Sequence, residues 1–260
     1  MFLIFGIDRI NESKFIHAIV EDISCQVRPP HLYVAQYPVG IESRVKKIKG
    51  LLKLEMNDIC MVGIIFGIMG IGKTTIAKAI YNSIAYQFQG SCFLEKVSET
   101  SGQPNGLVRL QEKLLYAILR DSSLKVDSVE QGINLIKQKL SSKKVLLILD
   151  GVDRLLQLEA LAGQRAWFGS GSRIIFTARD TNLQTEYEVD ATYEVKGLDP
   201  NEAHQLFCWH AFKKDKPDDD YVELTKHAIH LAGGLPLSLV VQGSSLCGRS
   251  VAEWITAFGL

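Results

Sequence analysis

Apolar residues occur in two patterns that alternate along this chain. Short, largely apolar runs predict strands that are buried on both faces of a sheet; they lie at 60–66, 91–94, 145–149 and 172–177, with a shorter run at 193–195. Stripes with apolar positions every three or four residues predict helices with one buried face; they lie at 11–27, 45–54, 74–87, 107–119 and 133–140. Strands that alternate with helices indicate an α/β fold, a doubly wound parallel sheet with helices on both faces.

The pattern changes after Gly197, where the strand-like runs end. Helical patterns then follow one another at 200–212, 220–232, 235–247 and 251–258, which predicts a small all-helical subdomain. Near the other end, Arg28-Pro29-Pro30 closes the first helix, because proline disfavours helical backbone in the residue before it. We therefore predict an N-terminal helix and linker over 1–38, an α/β domain over 39–197 and a helical subdomain over 198–260.

A glycine-rich segment joins the first predicted strand to the helix behind it. Residues 67–75 read GIMGIGKTT, which fits the phosphate-binding pattern G-x-x-x-x-G-K-[ST] at every fixed position. Glycines let the backbone curl so that several N–H groups point at one phosphate. Lys73 can reach the β- and γ-phosphates, and the Thr74 hydroxyl can ligate Mg²⁺. An ordinary glycine turn is the alternative, but a buried strand before the segment and a helix after it favour phosphate binding.

An acidic residue and an arginine close two of the predicted strands. Asp150 follows five consecutive aliphatic residues, where it can hold Mg²⁺ through water; the alternative is a turn or a helix cap. Arg179 follows the next strand and can reach a γ-phosphate, although a surface pair with Asp180 explains it equally well. Gly151 has no side chain to activate water, and Asp153 is expected to cap the next helix. These residues support tight nucleotide binding better than fast hydrolysis.

Charge and composition narrow the expected partners. The 260 residues carry 29 basic and 29 acidic side chains, so the net charge gives no argument for binding nucleic acid or an anionic membrane. No apolar run approaches the ~20 residues that span a bilayer. The five cysteines are scattered without C-x-x-C spacing, which favours reduced thiols in a cytoplasmic, or also nuclear, protein. The histidines near them lie in helical patterns, where packing is a better explanation than zinc binding.

Several longer motifs, in their order and spacing, resemble the NB-ARC nucleotide-binding module of plant intracellular immune receptors. The class in question has a TIR domain at its N-terminus, and the resemblance covers about residues 12–260. The motifs lie at 37–44 (YPVGIESR), 67–75, 88–94 (FQGSCFL), 147–150 (LILD), 167–175 (WFGSGSRII), 193–198 (YEVKGL), 206–212 (LFCWHAF) and 233–238 (GGLPLS). The resemblance implies a P-loop NTPase of the STAND class that acts as a switch rather than as a metabolic enzyme.

The family resemblance also implies roles for individual residues. In that family ADP holds a closed, inactive arrangement, and exchange for ATP opens it for oligomerisation and signalling. Carried over by position, the phosphate-binding residues would be Gly67, Gly70, Ile71, Gly72, Lys73, Thr74 and Thr75. Thr74 and Asp150 would hold Mg²⁺, and Arg179 would sense the γ-phosphate. The adenine would lie near Val39, Gly40 and Ile41, with Pro236 closing over the base. Pro236 also fits the first turn of a helix.

The chain departs from the family pattern in ways that affect its expected function. Gly151 stands where a second Asp usually serves as general base, Met69 where Gly or Pro is commoner, and Ala178 where a second Thr is usual. We therefore expect at most slow ATP hydrolysis. The TIR domain, the winged-helix subdomain with its His latch and the leucine-rich repeats are missing, so we expect a truncated product or a fragment. Its expected partners are the TIR and leucine-rich-repeat domains. The alternatives are an active ATPase or ATP-dependent kinase, and a non-signalling decoy fragment.

Overall fold

The computed structural model describes residues 29–65, 67–180, 183 and 187–260, and the helix predicted over 11–27 lies outside them. The strands of the α/β part form one parallel sheet with the order β2-β3-β4-β1-β5. They are β1 (Cys60–Ile65), β2 (Gly90–Leu94), β3 (Val145–Val152), β4 (Arg173–Ala178) and β5 (Ala191–Glu194). The predicted α/β class is confirmed, because each strand runs in the same direction as its neighbour.

Helices cover both faces of this sheet. They are α1 (Ile41–Leu52), α2 (Lys73–Ile84), α3 (Val97–Ser101), α4 (Gly106–Leu119), α5 (Val129–Leu140) and α6 (Leu155–Ala162). Alternate residues of a strand point to opposite faces, and β3 shows the result. Leu147 and Leu149 pack in the cluster that contains residues of α4, α5 and α6, whereas Leu146 and Ile148 pack with α1 and α2. The five aliphatic residues of β3 thus supply both cores of the domain.

Four further helices form the helical subdomain, which is defined here by α7 (Pro200–Phe212), α8 (Val222–Ala232), α9 (Pro236–Leu246) and α10 (Val251–Phe258). Its core contains Phe207, Leu239 and Trp254, which are all at most 1% exposed. Trp254 also donates its indole N–H to the Leu246 carbonyl at 3.0 Å, so its polar atom is satisfied inside this core. The all-helical character predicted beyond Gly197 is confirmed.

Local capping explains several helix bounds. The Asp199 carboxylate accepts the backbone N–H groups of Asn201 and Glu202 at 2.9 Å each, which starts α7, and Pro200 occupies its first turn. Ser128 caps α5 in the same way, so this helix begins four residues before the predicted 133. The short helix α3 was not predicted, because five residues are too few to display a helical stripe.

The described residues contain no helix that is both long and apolar enough to cross a bilayer. Cys60, Cys92 and Cys208 are buried free thiols, whereas Cys247 is a free thiol on the surface, and burial raises the pKa of Cys92 to about 12. Cys25 lies outside the described residues.

Candidate nucleotide-binding site

The phosphate loop lies at the carboxyl edge of the sheet, between the end of β1 and the start of α2. Gly70 and Gly72 have φ angles of 83° and 100°, in the left-handed region that glycine enters without strain. Gly72 is the N-cap residue of α2, so the first N–H groups of this helix point toward the loop. A helix N-terminus behind a curled glycine backbone is a site that favours phosphate.

A cleft of about 780 Å³ opens beside this loop. The sheet supplies one wall, where all strands present their carboxyl ends, and the helical subdomain supplies part of the other. Most of the predicted site residues line this cleft: Val39, Ile41, Gly70, Ile71, Gly72, Lys73, Thr74, Thr75, Asp150, Arg179 and Pro236. A cleft of this size and depth, lined from two sides, is typical of a small-molecule site.

Gly40 and Gly67 are the two predicted residues that the structure does not bring to the cleft wall. Gly40 has a φ of 70° and lies against the helical subdomain, where an added Cβ would come within 2.3 Å of a Glu202 carboxylate oxygen. Gly67 lies next to Arg179, whose carbonyl oxygen would be 3.9 Å from an added Cβ. Both glycines therefore shape the backbone around the cleft rather than its surface.

Asp150 and Thr74 meet at the phosphate end of the cleft. The Thr74 hydroxyl lies 2.9 and 3.0 Å from the two carboxylate oxygens of Asp150. Asp150 is only 5% exposed, and this burial raises the pKa of its carboxyl, while hydrogen bonds from Thr177 and Thr74 oppose the rise. A hydroxyl and a carboxylate are the oxygen donors that Mg²⁺ prefers in phosphate sites. The two side chains fit the ion that the phosphate loop implies.

A β-bulge in β3 positions the Asp150 carboxylate. Leu149 pairs with Phe176 but Val152 pairs with Ala178, so β3 holds one residue more than β4 at this point. Gly151 lies in the bulge with a left-handed φ of 78°, and its N–H donates to the Thr177 hydroxyl at 2.8 Å. Thr177 in turn donates to Asp150 Oδ1 at 2.8 Å. Thr177, which the sequence did not single out, thereby fixes the carboxylate against the strand.

Cationic groups lie at the same end. Lys73 donates its ammonium to the Ile68 carbonyl at 3.1 Å, within the phosphate loop. Burial lowers the pKa of Lys73, and the nearby positive charge of Arg179 lowers it further. Arg179 follows β4, the direct neighbour of β1, and Lys73 is the first residue of α2, and both residues line the cleft. Two cations that repel each other across a cleft can together neutralise a polyphosphate.

The other end of the cleft is apolar and lies against the helical subdomain. Val39, Ile41 and Pro236 line it, and Pro236 is the first residue of α9. Leu206, His210 and Val240, which the sequence did not identify, also line the cleft. His210 is 6% exposed with Nδ1 3.1 Å from the Ser244 hydroxyl, and burial lowers its pKa, which favours the neutral ring.

Two contacts close the helical subdomain onto the phosphate loop and its flank. The Leu237 N–H donates to the Gly70 carbonyl at 3.2 Å, and Arg44 makes a two-pronged ion pair with Glu202 at 2.8 and 2.9 Å. Arg44 also donates to the carbonyls of Gly40 and Gly197 at 2.7 and 3.1 Å. Arg44 thus ties α1 to the start of α7.

One sequence expectation near the site is wrong. Asp153 was expected to cap α6, but the N-cap residue is Arg154. The Asp153 carboxylate instead accepts a hydrogen bond from the Gln157 side-chain amide at 2.7 Å, and its backbone N–H donates to the same side chain. Among the described residues, no group of three or more His, Cys, Asp or Glu side chains could hold a metal.

Comparison with solved structures agrees with the fold. A chain in the structure of Drosophila ORC bound to DNA superposes on all of this chain and 70% of that one, with a TM-score of 0.51 and 13% identity. At this identity the likeness shows a shared fold alone.

Comparison with other sequences gives the family. The disease resistance protein RPV1 of Vitis rotundifolia is 44% identical over 244 residues, which are 94% of this chain and 17% of that protein. The TMV resistance protein N of Nicotiana glutinosa is 39% identical over 253 residues, 95% of this chain and 22% of that protein. This chain therefore spans about a fifth of the length of these relatives. The NB-ARC domain family matches residues 41–217, which include the phosphate loop, β3 and β4, and the chain accordingly belongs to the NB-ARC family.

Proposed function

We propose that this chain binds ADP or ATP with Mg²⁺ and serves as the nucleotide-dependent switch module of a plant immune receptor. The observation that carries the proposal is the position of the cleft, which has the phosphate loop on one side and the helical subdomain on the other. A nucleotide there would touch both parts of the molecule at once.

The phosphate end supports the choice of ligand. The N-terminus of α2 and the Lys73 ammonium offer positive charge to a diphosphate, and Thr74 with Asp150 offers oxygen ligands to Mg²⁺. When bound, the ion would neutralise phosphate charge beside the carboxylate. The apolar end, with Val39 and Pro236, suits a flat purine base.

The contacts across the cleft support a switch. A ligand shifts a conformational equilibrium only by its difference in affinity for the two states. The backbone N–H of Leu237 of α9 donates to the carbonyl of Gly70 in the phosphate loop, and Arg179 lines the same cleft, where its charge would attract a γ-phosphate. A third phosphate would therefore alter interactions at the junction that holds the helical subdomain in place, while ADP would leave them intact.

The relatives support the biological setting, since their names describe disease resistance proteins. The TIR and leucine-rich-repeat domains of the resemblance are the proposed partners, and the cytoplasm or nucleus is the proposed location. Slow hydrolysis belongs to the proposal, because the residue after Asp150 is Gly151.

The identity of the co-purifying nucleotide tests this proposal. The protein is purified without added nucleotide, denatured, and its supernatant is separated by ion-exchange chromatography. We expect ADP at close to one equivalent, and much less from Lys73→Ala. A folded protein that carries no nucleotide and takes up none when ADP and Mg²⁺ are added would refute the proposal. Steady ATP turnover of about 1–10 s⁻¹, as for an ordinary enzyme, would favour the ATPase or kinase alternative.

A further inference from the structure

A second carboxylate stands beside the proposed metal carboxylate, at the same edge of the sheet. Leu94 of β2 pairs with Leu149 of β3, so the next residues, Glu95 and Asp150, are neighbours across two parallel strands. Neighbouring strands lie about 4.8 Å apart, and residues that follow a paired position point to the same face. The side chains of Glu95 and Asp150 therefore both face α2.

Helix α2 meets these two carboxylates with two residues one turn apart. Thr74 hydrogen-bonds to Asp150, and Lys78 pairs with Glu95 at 2.6 Å. Residues four apart lie on one face of a helix, so the two contacts lie side by side between α2 and the edge of the sheet. Glu95 and Lys78 both line the cleft, and the Glu95 charge acts with burial to raise the pKa of Asp150. The ion pair holds Glu95 beside the phosphate end of the cleft, and its side chain stays accessible there because it is 49% exposed.

The other acidic residues of the cleft wall are engaged elsewhere. Asp153 is bonded to Gln157, and Glu99 pairs with Lys96 at 3.3 Å on the surface, where its side chain is 66% exposed. The residue after Asp150 has no side chain at all. Glu95 is the described carboxylate that lies next to Asp150 and opens into the cleft.

We propose that Glu95 activates water for the slow hydrolysis of ATP in this cleft, held in place by Lys78. This inference rests on the proposed nucleotide binding. In the step, the water oxygen forms a bond to the γ-phosphorus while the bond from that phosphorus to the bridging oxygen breaks. The bridging oxygen keeps the electron pair and leaves as ADP. Glu95 takes the proton of the water and afterwards releases it to solvent, so that ADP and inorganic phosphate are the products.

Single-turnover hydrolysis of radiolabelled ATP by the whole chain tests the role of Glu95. We expect Glu95→Gln to lower the rate at least tenfold, because a positioned base contributes about 10²–10⁴-fold. The affinities for ADP and for a non-hydrolysable ATP analogue, measured by calorimetry, are expected to stay within about twofold. After prolonged incubation with ATP, the nucleotide extracted from Glu95→Gln is expected to be ATP, whereas the parent chain holds ADP.

Three further variants separate catalysis from structure. Glu223→Gln removes an exposed carboxylate that does not line the cleft and is expected to leave the rate unchanged. Glu95→Asp keeps a carboxylate and is expected to retain more activity than Glu95→Gln. Lys78→Met is expected to lower the rate less than Glu95→Gln, and the double variant Lys78→Met/Glu95→Gln is expected to be no slower than Glu95→Gln, because Lys78 acts through Glu95.

Several results would overturn the inference. Glu95→Gln that converts ATP at the parent rate would do so, and so would a parent chain that binds ATP yet hydrolyses it no faster than Lys73→Ala. In both cases the proposed nucleotide binding stands, because it is measured separately from hydrolysis. A chain that binds no nucleotide refutes both proposals.

Discussion

The ion pair between Arg44 and Glu202 gives the sharpest energetic prediction for how the helical subdomain is held. The two side chains are only 10% and 19% exposed, and two parallel hydrogen bonds join them. Exposed ion pairs contribute about 0–1 kcal/mol, whereas loss of one partner from a fully buried pair costs about 3–5 kcal/mol. This pair lies between those limits. Arg44→Met also removes the donor to the carbonyls of Gly40 and Gly197. We expect it to lower the free energy of unfolding by about 2–3 kcal/mol.

Urea unfolding followed by far-ultraviolet circular dichroism measures this loss, and the chain provides a matched control. Glu223 and Lys226 form a pair at 2.7 Å whose side chains are 84% and 66% exposed. Glu223→Gln is expected to change stability by less than about 0.5 kcal/mol. If Arg44→Met costs no more than this control, the bridge between α1 and α7 does not stabilise the closed arrangement and the reasoning is wrong.

The same pair predicts how stability depends on pH. The hydrogen bond from Arg44 lowers the pKa of Glu202 below its ordinary value, with a further contribution from the Asp199 backbone and a partial opposition from burial. A lowered folded-state pKa contributes stability that is present above the unfolded pKa of about 4.3 and is lost as pH falls through the folded value. The stability difference between the parent chain and Arg44→Met is therefore expected to be constant from pH 8 to 6 and to shrink below about pH 4. A difference that grows in acid would contradict this assignment.

Three further substitutions test the phosphate end. Thr177→Val removes the hydroxyl that donates to Asp150. In calorimetry, the factor by which Mg²⁺ raises the ADP affinity is expected to be at least about tenfold smaller in this variant than in the parent chain. An unchanged factor would show that Thr177 does not position the carboxylate. Gly70→Ala places an added Cβ 2.7 Å from the Cβ of Leu237, and the alanine would have to adopt the φ of 83° that Gly70 has. The melting temperature and the ADP affinity are therefore both expected to fall. Unchanged values would mean that the phosphate loop and α9 can move apart to accommodate the added atom. The side chain of Gly151→Asp would enter open space, and its left-handed backbone would cost about 1 kcal/mol. We expect this variant to release inorganic phosphate from ATP faster than the parent chain. An unchanged rate would show that Gly151 is not the cause of slow hydrolysis.

The sequence predicts the sheet and the phosphate loop well because both depend on local pattern. Five consecutive aliphatic residues before Asp150 favour a strand that is buried on both faces, and residues 67–75 combine several constraints in one short segment. Parallel strands present their carboxyl ends at one edge, so the proximity of Asp150 to the loop follows from topology. The structure confirms this proximity through the contact with Thr74.

Features that depend on register or on distant contacts could not be predicted in the same way. Thr177 can bond to Asp150 because a bulge of one residue turns the carboxylate toward it, and no pattern of residue types in the sequence predicts that bulge. Arg44 and Glu202 lie 158 positions apart, so only the packed arrangement brings them together. His210 lies in a helix whose pattern predicts burial, but which cavity it lines depends on how that helix meets the sheet.

The central claim is that the phosphate loop binds an adenine nucleotide, and titration of the nucleotide-free chain with ADP in a calorimeter tests it most directly. Bound nucleotide is first removed, and the fold is checked by circular dichroism. We expect one binding site per chain in the presence of Mg²⁺, with affinity reduced at least tenfold in Lys73→Ala, equal to about 1.4 kcal/mol or more. A folded chain that gives no binding heat at two temperatures and retains no labelled ADP on filtration would contradict it, as would a Lys73→Ala variant that binds ADP as tightly as the parent.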